Sequence, residues 1–140
     1  MRLFCVVLIL FSTTLLSLPG QADSIIVNEA VSEAEVSPQF LLSVFAMRTR
    51  RWSDGQLIHV FVLPDSHPTH VHFVKSSLQI FPYQLRNLWD QRMFSGAGVV
   101  PMVVRSEAEM IQRVRMFKGA IGYISREVSG EQGIRALDVH

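Results

Sequence analysis

The sequence is short of several things. Its one cysteine, Cys5, falls within the first 22 residues, so the rest of the chain has no thiol for a disulfide, a Cys-x-x-Cys redox pair or a thiolate-ligated zinc. Charge of either sign is not in excess: 13 Lys+Arg stand against 12 Asp+Glu, which removes any bulk electrostatic case for nucleic acid or an anionic membrane. Signatures of catalysis are missing too. The chain contains no nucleophile elbow, no P-loop and no His-Glu-x-x-His, and scattered Ser, His and Asp residues do not make a triad, so a non-enzymatic protein is expected.

Long apolar runs are confined to the beginning. "MRLFCVVLILFSTTLLSLPGQA" has one charge, Arg2, an apolar core from Leu3 to about Leu18, a Pro19-Gly20 break, and small residues Gly20 and Ala22 around Gln21, which is a small-x-small cleavage site. Its apolar part is too short for a membrane span, and a cleaved signal peptide over residues 1–22 is expected, with a retained anchor as the alternative. Cys5 lies at the start of the apolar segment and is not placed to be an acylated lipoprotein cysteine. Removal of 22 of the 140 residues leaves 118, residues 23–140, with 12 basic and 12 acidic side chains. That length makes one domain able to fold on a hydrophobic core without cross-links, and the address is the periplasm.

What is there is an alternation of elements. "SIIV", Ser24–Val27, is a compact β-rich run; Ser37-Pro38 offers an N-cap hydroxyl and an N1 proline to a helix that buries Phe40, Leu41, Val44 and Phe45. After a basic loop, "MRTRRWSDG", residues Leu57–Leu63 read as a strand. "PDSHPTH" supplies N-caps for a helix containing Phe73, Val74 and Leu78, and Pro82 opens another with Leu85, Leu88 and Trp89 on one side. A glycine-rich connection, "FSGAGVVP", leads to a short strand at Met102–Val104. Ser106-Glu107-Ala108-Glu109 then reads as a capping box for a helix ending at Gly119, whose expected place is the C′ position with φ > 0. Ala120–Ile124 reads as a buried strand in which Gly122 leaves room for a neighbour, and Ile134–Val139 as a final strand. Together these predict an α/β lobe with a mixed, mostly parallel sheet flanked by helices.

The order "SPQFLLSVFAMRTRRWSDG", then a strand, then "LRNLWDQRMFSGAGVVP", then "SEAEMIQRVRMFKGAIGYIS" resembles the phosphate-binding proteins of bacterial ABC transporters, a branch of the type 2 periplasmic-binding fold. "GAIGYI" is the sharpest element of the likeness, which runs from about Ile25 to Ile124. It implies a solute-binding module. Full-size members have two lobes closing on the ligand, and 118 residues suffice for one, so a single-lobe short form is implied. The family's Arg-Ser-Asp-Gly-Ser-Gly-Thr anion loop corresponds here to "LPDSHPT": Leu63 takes the arginine's place, His67 a serine's, and Pro68 removes an N–H donor, while Asp65 and Thr69 are kept.

Candidate sites follow from these residues. Ser66, Thr69 and the helix start beside them are potential oxyanion donors or ordinary caps, and Arg48, with Arg50 and Arg51 nearby, is either an added cation or part of a solvated basic loop. His67, His70 and His72 form an H-x-x-H-x-H run that reads as exposed, metal-free histidines, since His70 and His72 point about 200° apart on a helix; no metal site and no cofactor is expected. "FSGAGVVP" is a backbone nest or only a turn, and Trp52 and Trp89 are packing residues. The expected function is weak binding, if any, of phosphate or a related oxyanion through Ser66, Thr69 and Arg48. The alternative is a ligand-free interaction module that docks on a sensor, porin or transporter.

Overall fold

The computed structural model describes residues 23–140; the signal peptide expected over residues 1–22 lies outside them. Strand β1, Ser24–Asn28, is buried from Ile25 onward, which is why Ile25–Val27 is an apolar run and not an alternation. It lies between β5, Ala120–Ile124, and β6, Ile134–Ala136, antiparallel to both. Beyond β5 come β3, His59–Val62, and β4, Met102–Val103, each joined in parallel, so the five-stranded sheet has the order β4-β3-β5-β1-β6. A two-stranded parallel ladder, β2 (Glu35–Val36) with β7 (Asp138–Val139), stands apart. Two of the four pairings in the main sheet are parallel, and three of five when the small ladder is counted, so the sheet is mixed.

Helix α1, Pro38–Phe45, starts as the sequence implies, with Ser37 Oγ accepting the Phe40 N–H at 3.1 Å. In α2, Pro68–Phe73, the capping role falls to His67, whose Nδ1 accepts the Thr69 N–H, and the helix widens into a π-helical turn over Val74–Leu78 that Gln79 ends with φ +57°. Helix α3, Pro82–Phe94, is followed by the glycine-rich connection, and α4, Glu107–Met116, by β5.

Gly122 and Tyr123 show how β5 serves both faces of the sheet. On one side an added Cβ at Gly122 would meet Met110 and Val114 of α4, so the missing side chain is what lets that helix seat closely. On the other, the Tyr123 ring stacks on Phe73 at 3.9 Å, with Phe45 packed edge-on to Phe73 at 4.8 Å, which fixes α1 and α2. Asn28, buried at the end of β1, donates to Val114 O and Arg115 O and accepts from Ala30 N, satisfying the last carbonyls of α4. Trp52 and Trp89 are buried, and each indole N–H finds a carbonyl, Gly119 O and Phe45 O respectively.

Several expectations need correction. Ser106 Oγ does accept from Glu109 N, but the Glu109 carboxylate takes the N–H of Arg105, not of Ser106, so only half of a capping box forms. Helix α4 ends at Met116 with Phe117 extended, and Gly119, φ +77°, is the third residue of a turn closed by Ala120 N to Phe117 O, outside the C′ position. The strand expected over Leu57–Leu63 is shorter, because Leu57 bridges back to Arg51. The final strand breaks at Leu137, whose buried side chain turns the chain from the main sheet into the small ladder.

Candidate functional site

Strand β1 runs antiparallel to β5, so the residue before β1 and the residue after β5 come to the same end of the sheet, where Ser24 pairs with Ile124. Asp23 and Ser125 therefore stand side by side at the carboxyl end of β5. Helix α2 follows β3 at that same end, because β3 is parallel to β5. Asp23, Ser125, Pro68, Thr69 and His72 line a solvent-open crevice of about 290 Å³ there. The Asp23 carboxylate is mostly covered and bonds His72 Nδ1. Ser125 is already engaged through its N–H and Oγ with the Glu107 carboxylate.

Thr69 is buried against this crevice, but its N–H is spent on His67 Nδ1 at 3.2 Å, and Pro68 has no N–H to give. Ser66 is exposed on the turn between β3 and α2, closed by His67 N to Pro64 O at 2.9 Å. Arg48 borders a different hollow, lined by Ala46, Leu88, Gln91, Arg92 and Ser95. The two hollows share no lining residue: Thr69 borders one and Arg48 the other.

The three histidines do three separate things. His67 caps α2 and His72 faces Asp23, while His70, expected to be exposed, is 1% accessible. The period of the helix explains the difference, since His70 shares the inward face with Phe73. Among the described residues no group of three or more His, Cys, Asp or Glu side chains is placed to hold a metal ion.

Around His70 lies a polar cluster that the sequence did not reveal. The Tyr123 hydroxyl accepts the Leu63 N–H at 2.8 Å and shares a hydrogen bond of 2.5 Å with Nδ1 of His70, whose other ring nitrogen is Nε2. That Nε2 is buried, without a hydrogen-bond partner, 3.9 Å from Asp65 Oδ1. Asp65 itself takes both arms of the Arg86 guanidinium at 2.8 Å, and Arg86 lies over the Trp89 ring at 4.9 Å. The Arg86 bonds hold the Asp65 carboxyl below its ordinary range. Burial holds the His70 imidazole below its ordinary value, against the pull of Asp65, and burial raises the Tyr123 phenol. All three groups are thus kept in one protonation state at neutral pH, with Asp65 ionised and His70 and Tyr123 neutral. The cluster ties β3, α2, α3 and β5 together.

No family model matches the sequence, and no relative is found among curated proteins. Solved structures do match in fold. An ABC-type phosphate transport receptor from Vibrio cholerae superimposes with a TM-score of 0.61 at 18% identity, covering 84% of this chain and 45% of that one. For PstS from Borrelia burgdorferi the values are 0.65, 18%, 85% and 47%. A putative phosphate ABC transporter substrate-binding protein with bound phosphate, from Clostridium perfringens, gives 0.58, 13%, 84% and 44%. The chain thus spans less than half the length of these structures. At such identities the likeness is one of fold: the chain is a single α/β lobe, with a mixed, mostly parallel sheet flanked by helices, of the type 2 periplasmic-binding kind.

Proposed function

We propose that this chain is an exported, periplasmic, non-enzymatic solute-binding module that offers phosphate or a related oxyanion a shallow contact at the crevice beside α2. The observation that carries the reading is position. In open α/β sheets ligands lie in the crevice outside the carboxyl ends of the strands, and the Asp23, Thr69, Ser125 hollow is at that end of β5 and β3. Thr69 supplies a hydroxyl there and Ser66 stands on the turn leading in, whereas Arg48, expected from the sequence to add charge, borders the separate hollow at the ends of α1 and α3. The carboxylate of Asp23 suits an oxyanion that still bears a proton, since it accepts that hydrogen and repels the fully ionised form.

One lobe leaves half of such a ligand facing water, where hydrogen bonds are screened and exchanged for those of solvent. Affinity no tighter than about millimolar is therefore expected. Calorimetric titration of the protein with phosphate and sulfate, with its mass in solution measured in parallel, tests this. Thr69→Ala should weaken the binding further. Micromolar phosphate binding by a demonstrated monomer overturns the one-lobe reading.

A second reading is favoured by the exposed apolar side chains Met93, Phe94, Val100, Met102 and Val103, which gather at the end of α3 and on edge strand β4. In it the lobe binds no solute and docks on a membrane-associated sensor, porin or transporter through this edge. Absence of phosphate binding, together with crosslinking from Val103 to a membrane protein, supports it over the first.

A further inference from the structure

The geometry points to a second oxyanion site, in the hollow between the C-terminal ends of α1 and α3, where Arg48 and Arg92 hold a small tetrahedral anion, phosphate or sulfate. It does not depend on the crevice at Thr69, with which it shares no residue.

The hollow has a volume of about 340 Å³ and is lined by Ala46, Arg48, Leu88, Gln91, Arg92 and Ser95. Two guanidinium-bearing residues thus border one concavity whose lining contains no carboxylate. The nearest acidic residue on the same helix, Asp90, belongs to another hollow on the other side of α3. Neither Arg48 nor Arg92 enters an ion pair among the described residues, whereas Arg86, Arg113 and Arg126 each have a carboxylate partner.

Arginines near helix C-termini often serve to cap free carbonyls, so that role has to be examined first. Here all but one of the carbonyls are already met by other donors, and neither guanidinium bonds the remaining one, Phe94 O. At the end of α1, Leu42 O accepts from Ala46 N, Ser43 O from Arg48 N and Thr49 N, Val44 O from Met47 N, and Phe45 O from Trp89 Nε1. At the end of α3, Gln91 O accepts from Ser95 N, Arg92 O from Ser95 Oγ, and Met93 O from Gly96 N. Among the described residues the two guanidinium heads have no acceptor. A guanidinium fork matches the oxygen spacing of a tetrahedral anion. The Gln91 amide adds a neutral donor. Because the hollow is open to solvent, the affinity is modest and depends on ionic strength.

The test is a titration of the protein with sodium phosphate at constant ionic strength, read in ¹H–¹⁵N spectra that include arginine Nε–H signals, with sodium chloride as the control. The Arg48 and Arg92 Nε–H signals and the Ser95 amide should follow one saturable curve that chloride does not reproduce. Arg92→Gln should raise the dissociation constant at these reporters by about tenfold, Arg92→Lys should restore part of it, and Thr69→Ala should leave it unchanged. The proposal fails if the shifts rise linearly and chloride matches them, if saturable shifts are confined to Thr69 and Ser125, or if they survive the double change Arg48→Gln/Arg92→Gln in a variant whose spectrum remains folded.

Discussion

Replacing Gly122 by alanine is a sharp test of how α4 sits on the sheet. The φ of Gly122 is not positive, so the backbone admits an alanine, and by itself the change would favour folding by about 0.4–1 kcal/mol through loss of chain entropy in the unfolded state. Against that, the new Cβ overlaps Met110 Sδ and lies 3.2 Å from both Met110 Cγ and Val114 Cγ2. Met110 and Val114 are fully buried, so neither can retreat into solvent. Overpacking of this kind costs about 1–3 kcal/mol, and the net expectation is a loss of about 1–2 kcal/mol, or roughly 3–10 °C in Tm. Urea unfolding followed by the fluorescence of the buried Trp52 and Trp89 measures it. Met110→Ala removes the colliding sulfur at a cost of about 2–5 kcal/mol for the cavity it leaves. In that background Gly122→Ala fills space and should be neutral or stabilising, giving a coupling of at least about 1 kcal/mol between the sites. An alanine tolerated at no cost in the wild-type background, or equally costly in both, refutes the close seating of α4 on Gly122.

Gly119→Val should destabilise by more than about 1 kcal/mol, since φ +77° strains a β-branched residue and its Cβ would run into Leu57 O; an unchanged unfolding midpoint would show that the turn does not need its glycine. His70 should give the fold a pH dependence. In the unfolded chain it takes up a proton near its ordinary value of 6.5, whereas burial keeps the folded imidazole neutral to lower pH, so stability falls as pH drops below about 6.5 until the folded form is protonated too. Unfolding curves between pH 7.5 and 5 should show this slope, and His70→Gln should remove it; a slope that persists unchanged in the variant assigns it elsewhere. Exported protein should have an intact mass beginning at Asp23, and a mature chain that retains Met1–Ala22 refutes cleavage at the small-x-small site.

The fold was legible where local chemistry decides it. Ser37-Pro38, Pro82 and Ser106 marked helix starts because a cap hydroxyl or a proline acts within one turn, and the apolar runs at β1 and β5 announced strands buried on both faces. Ends were less legible: Phe117 leaves the helix two residues before Gly119, because the turn closed by Ala120 N sets where α4 must stop. The site was harder still. Thr69 and Ser66 could be named from the cap pattern, but their partners come from remote segments. Asp23 meets His72 across 49 positions and Tyr123 meets His70 across 53, pairings that depend on strand order and leave no local trace. Arg48 and Arg92 share a hollow for the same reason, α1 and α3 being joined by the bond from Trp89 Nε1 to Phe45 O.

The interior place of β1 also sets a timetable for folding. Ser24 pairs with Ile124, and Asn28 with Ile134, so the first strand finds both neighbours only in the last quarter of the chain. Loops of about a hundred residues must close before those ladders reward the lost entropy, which slows folding relative to a domain built from local contacts. On a ribosome the β1 segment is made first and then waits, its apolar face unmatched, until β5 and β6 emerge. Until those two strands are available the five-stranded sheet cannot be completed, because β1 holds β5 and β6 together.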